Sequence, residues 1–100
     1  MKENITYISP NKVYVSVVAR MEPSGSVTPL SLTWEDGRVY EIDDITDIRQ
    51  APSFRAGGNG LRYTVRIGRA VTHLWREGCL DKWFVERREY PVNLVINAED

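Results

Sequence analysis

At 100 residues the chain is long enough for one hydrophobic core and too short for a scaffold with an elaborate catalytic insertion. An apolar fraction of 42% and a charged fraction of 27% are ordinary for a folded globular protein and argue against a disordered chain, and one cysteine, Cys79, excludes an internal disulfide and fits a reducing cytoplasm. A net charge of −1 gives no global pull toward nucleic acid or acidic membrane.

Residues 1–11 form a polar lead-in, with Lys2-Glu3-Asn4 where a secretory leader would turn apolar. Val13, Val15, Val17 and Ala19 then alternate with Tyr14, Ser16 and Val18, which predicts a first strand with one apolar face. That stretch is too short, and too interrupted by Ser16, to cross a bilayer. Glu22-Pro23-Ser24-Gly25-Ser26 is a turn. A second strand follows, with Leu30, Leu32 and Trp34 on one face and Ser31 and Thr33 on the other. Pro29 has no donor N–H, so it belongs at a sheet edge or at the strand's first residue.

Asp36-Gly37 between two β-prone runs is the strongest short-range hairpin signal in the chain. It leads into a third strand over Val39–Asp43 with Tyr40 and Ile42 inward. Ile42, Ile45 and Ile48 are then three apart, a spacing that period two cannot place on one face. Either a strand bulges near Asp43-Asp44 and continues, or Asp44 caps one helical turn over residues 44–51. The richness in Ile and Thr and the early stop at Pro52 favour the bulge.

A glycine-rich loop, Ala51 to Gly60, precedes an uninterrupted alternation from Leu61 to Ile67, the fourth strand. Val71, His73 and Trp75 alternate with Thr72, Leu74 and Arg76 in a fifth, and Trp83 and Val85 oppose Phe84 and Glu86 in a sixth from Lys82 to Arg87. The tight connections join antiparallel neighbours. The fold predicted is all-β: a strongly bent antiparallel meander closing into a small barrel of about six strands, core 12–88. The tail, 89–100, holds a second alternation, Val92, Leu94 and Ile96. It is either an extra strand within the domain or a segment that pairs with an edge of another copy.

Trp34-Glu35-Asp36-Gly37-Arg38 with Tyr40-Glu41-Ile42-Asp43, Ala56-Gly57-Gly58-Asn59-Gly60 leading into Arg62-Tyr63, and Trp83-Phe84-Val85-Glu86-Arg87 together resemble a family of small uncharacterised all-β proteins from anaerobic Gram-positive bacteria. The resemblance covers Lys12 to Arg87. It is a pattern of tryptophans, glycines and hairpins, and it implies no catalytic residue or cofactor.

Chemistry-bearing residues are few. Residues 1–48 carry four basic and eight acidic side chains, residues 49–88 nine basic and three acidic. Arg62 and Arg66 share the face of the fourth strand opposite Leu61, Tyr63, Val65 and Ile67. With Arg69 and Arg76 they define a candidate basic stripe for a phosphate backbone. Glu41 and Asp43 on a neighbouring strand would neutralise that stripe, the commoner arrangement. Arg55, Gly57 and Gly58 offer a candidate anion nest, but the loop leads into a strand and lacks the Lys-Ser or Lys-Thr of a phosphate loop. The acids Glu41, Asp43, Asp44 and Asp47 lack calcium-loop spacing, and one His73 with one Cys79 cannot build a zinc site. The expectation is a non-enzymatic cytoplasmic binding module with no cofactor, no metal and no membrane contact. Its partner would be an unidentified protein or a second copy of itself, bound through an edge strand or the tail. The alternative is a nucleic-acid-binding small barrel using the basic face.

Overall fold

The computed structural model describes residues 11–78 and 81–87. They form seven antiparallel strands: β1 (Lys12–Met21), β2 (Val27–Thr33), β3 (Val39–Glu41), β4 (Asp44–Pro52), β5 (Asn59–Ile67), β6 (Ala70–Glu77) and β7 (Lys82–Glu86). All lie in one sheet, in the order β3-β2-β1-β7-β6-β5-β4. No helix among these residues is long and apolar enough to cross a membrane.

The curl of the sheet follows from its connections. β3 and β4 stand at opposite ends of the sheet order, yet only Ile42 and Asp43 separate them in sequence. Three residue steps reach about 10 Å, so the sheet must curl into a half-barrel that brings the end of β3 and the start of β4 together at one corner. The Ile42 N–H donates to Leu30 O on β2 at 2.9 Å, and the next residue, Asp43, donates to Arg66 O on β5 at 2.8 Å. The expected third strand therefore changes partner at this corner and becomes two, which raises the count from six to seven. The bulge lies further on, at Thr46, because Ile45 pairs with Val65 and Asp47 with Thr64. One extra residue there returns Ile48, opposite Tyr63, to the face of Ile45. No helical turn forms over 44–51.

The concave face holds the core. Val13, Leu32, Tyr63, Val65, Leu74 and Val85 are buried together, with Val15, Val17, Tyr40, Ile42, Ile45 and Trp83 packed against them. Tyr63 crosses the interior, and its hydroxyl donates to Val27 O at 2.7 Å. Pro29 lies within β2, where β3 no longer pairs and β1 and β2 shift register, so its missing donor costs nothing.

A second, smaller cluster sits on the convex face. The rings of Trp75 and Phe84 stack parallel with centroids 5.3 Å apart, capped by Ala56. The expected long loop shrinks to residues 53–58, because Ala51 pairs with Gly60 and Pro52 with Asn59. It folds back over these rings. Buried Ser53 fastens it: its Oγ donates to Glu86 Oε2 at 2.7 Å and accepts from the Ala56 N–H at 3.0 Å. The alternation of β6 is thus two-sided, with Leu74 in the main core and Trp75 under the loop.

Candidate binding groove

β1 is ten residues long and β7 only five. Their pairing runs Lys12↔Glu86, Val13↔Val85, Tyr14↔Phe84 and Val15↔Trp83, and stops there. On its other side β1 pairs with β2 from Ser16 through Met21. The Arg87 N–H donates to Asn11 O at 2.6 Å, so odd-numbered residues of β1 turn their main-chain groups toward β7. The Glu22 N–H donates to Ser26 O at 2.8 Å, which places the even-numbered set toward β2. Beyond Val15 the groups of Val17, Ala19 and Met21 therefore face a side of the sheet on which no described strand pairs.

A groove of about 730 Å³ occupies that side. Val15, Val17, Ala19, Met21, Val27 and Trp83 form its apolar wall, and Met21 is 67% exposed. Arg76, Asp81 and Lys82 form the charged end. Local chemistry at the β6–β7 turn makes the groove end there. Asp81 adopts a positive φ of 55°, its N–H donates to Glu77 O at 2.7 Å, and its carboxylate accepts from Arg76 Nε and Nη2 at 3.1 and 2.9 Å. Arg76, so held, lies 6.0 Å over the Trp83 ring. At the outer lip the Tyr14 hydroxyl donates to Glu77 Oε1, and Lys12 pairs with Glu77 Oε2, both at 3.0 Å. Burial and the neighbouring Glu77 push the Tyr14 phenol above its ordinary range.

The basic residues singled out from the sequence are divided by this register. Arg62 and Arg66 do share the convex face, as the alternation requires. Arg76 pairs with Leu61 and Trp83, which puts it on the concave side, at the groove. Arg69 stands exposed in the β5–β6 turn. Acids interleave the convex stripe: Asp44 lies opposite Arg66, and Asp47 forks onto Arg49 at 2.7 and 3.1 Å. Those bonds hold the Asp47 carboxyl below the usual range. Asp43 lies 3.9 Å from Arg66, as expected for a neutralising partner, but Glu41 pairs with Ser31 on β2 instead. Arg55 is exposed beside Phe54, which is 93% exposed at the loop tip. In that loop the Ala56 and Gly57 N–H groups are spent on Ser53, at 3.0 and 2.8 Å, so the glycines serve the turn; Gly57 and Gly58 have φ of 83° and 97°. Among the described residues no three His, Cys, Asp or Glu side chains converge as metal ligands. Cys79 and the tail lie outside the described residues. The His73 ring stands edge-on to Trp75, 5.7 Å away.

Sequence reasoning missed the groove, because it arises where β1, Lys12–Met21, outlasts the Lys82–Glu86 strand that pairs with it, and that pairing is not local in sequence. Compared with protein-family models, with curated proteins and with solved structures, the chain matches none.

Proposed function

We propose that the protein is a non-enzymatic binding module that takes an extended polypeptide segment as an added strand along the second half of β1. One observation carries this reading: the main-chain edge of Val17, Ala19 and Met21 opens onto a groove with an apolar wall and a charged end. An incoming strand would gain main-chain hydrogen bonds from the edge and specificity from alternate side chains entering the groove. Exposed edges of this length otherwise invite uncontrolled pairing. The single cysteine, which needs a reducing setting to stay free, supports action in the cytoplasm.

A ten-residue synthetic peptide alternating valine and threonine tests this. Titrated into the protein, it should shift the amide resonances of Val17, Ala19 and Met21 and the indole of Trp83, and Ala19→Glu should suppress these shifts. Shifts confined to the convex face would contradict the reading. Oligonucleotide binding that weakens steeply with salt and vanishes on replacing Arg62 and Arg66 by alanine would favour the basic face instead.

A further inference from the structure

We infer that the strand received along β1 is the segment Val92–Ile96 of a second copy of this chain, exchanged reciprocally to make a two-fold dimer. This rests on the groove reading above and names its ligand. Pro91-Val92-Asn93-Leu94-Val95-Ile96-Asn97 is uncharged and alternates Val92, Leu94 and Ile96 with Asn93, Val95 and Asn97. One side of such a strand suits the Val15, Val17, Ala19 and Met21 wall. The free part of β1, Ser16 to Met21, is about 20 Å long at ordinary strand rise, and the five central residues of the segment span about 17 Å. Glu89 and Glu99 bracket the segment; at one end of the groove Asp81 answers Arg76, and Lys82 leaves that end net positive, which suits an acidic neighbour.

Reach decides between the chain's own tail and a second copy. The described chain ends at Arg87, which bonds to Asn11, at the end of β1 remote from the groove. Ser16 lies five residues further along β1, about 17 Å away. Five steps from Arg87 to Val92 cover at most about 18 Å when fully extended. To enter the groove the tail must first reverse direction and clear β7, and a tight turn consumes at least two residues. Its own Val92 therefore cannot reach Ser16, and the chain's own tail could lay no more than the end of the Val92–Ile96 segment along the groove. A two-fold partner has no such limit, and the same patch on both copies makes the contact closed and isologous.

The test is solution mass by sedimentation, using the full chain. A mass twice the 11.5 kDa of one chain is expected. Leu94→Asp, which charges the segment, and Ala19→Glu, which charges an exposed wall residue, should each yield a folded monomer. Leu94→Ile should stay dimeric. Mixing the two monomeric variants should restore association, because the Ala19→Glu chain keeps an intact tail and the Leu94→Asp chain an intact groove. Failure to recover on mixing, or a dimer indifferent to both substitutions, overturns the inference. A monomeric wild type whose Val17 and Ala19 amides lose protection in Leu94→Asp also overturns it, assigning the groove to the chain's own tail. If the wild type is monomeric and the valine-threonine peptide still binds, the inference fails and the groove reading survives. If that peptide binds nowhere along β1 even in Leu94→Asp, both fail.

Discussion

Gly60 is the position at which the geometry makes its sharpest energetic demand. A Cβ built there would lie 2.4 Å from Arg76 O and 3.1 Å from Arg76 C, both main-chain atoms of the adjoining strand. Ordinary carbon–oxygen contacts begin near 3.3 Å, so Gly60→Ala must push β5 and β6 apart by about 1 Å beside the Leu61↔Arg76 pair. Overpacking of this kind costs up to about 3 kcal/mol, offset by the 0.5–1 kcal/mol that alanine recovers from the unfolded chain, roughly. A net loss of up to about 2–2.5 kcal/mol lowers the melting temperature of a domain this size by roughly 8–20 °C. Gly57 is the control: nothing lies within 4 Å of its added Cβ, but its φ of 83° is disfavoured for alanine. Gly57→Ala should therefore cost only about 1 kcal/mol, or roughly 5 °C. Thermal unfolding followed by circular dichroism measures both. Equal stability of Gly60→Ala and wild type, or a larger loss at Gly57, would refute the argument.

Ser53→Ala removes a bond to a carboxylate and orphans the Ala56 N–H. A loss of about 2–3 kcal/mol is expected in urea unfolding, with a red-shifted emission as the loop releases Trp75; an unshifted spectrum contradicts the latch. Tyr63→Phe leaves Val27 O unpaired in the interior and should cost about 1–2 kcal/mol. Burial raises the Tyr63 phenol, so its contribution is present below the ordinary tyrosine range and lost as pH rises through the folded-state value; a Phe variant with an unchanged alkaline profile would refute this. At acid pH the sign reverses for Asp47. Its carboxyl is lowered by hydrogen bonds from Arg49, so the stabilisation is present above the ordinary carboxylate pKa and lost as pH falls through the folded-state value. Arg49→Ala should raise the Asp47 titration midpoint seen by carbon NMR, and an unmoved midpoint contradicts the pairing.

Period-two burial made most of the fold legible. Leu61, Tyr63, Val65 and Ile67 face the core as their alternation requires, and Trp83 and Val85 oppose Phe84 and Glu86. The Ile42–Ile45–Ile48 spacing encoded a corner and a bulge, but their positions depended on which strands Asp43 and Thr46 face, a non-local matter. Trp75 could not be placed from sequence, because the loop that covers it lies 17 or more residues away. Residue type alone grouped Arg76 with Arg62; register separates them, since Arg76 lies opposite Leu61, and Arg62, the next residue of β5, turns to the other face. The groove was hidden for a similar reason. It is a difference in length between two strands from opposite ends of the chain.

Amide hydrogen exchange along β1, measured in the Leu94→Asp chain, tests the unpaired edge most directly. Val13 and Val15 should be protected by β7, and Ser16, Val18 and Arg20 by β2, while Val17, Ala19 and Met21 exchange rapidly. Protection of Val17, Ala19 and Met21 equal to that of Val15 would mean the edge is already filled within the domain, and the binding groove would not exist.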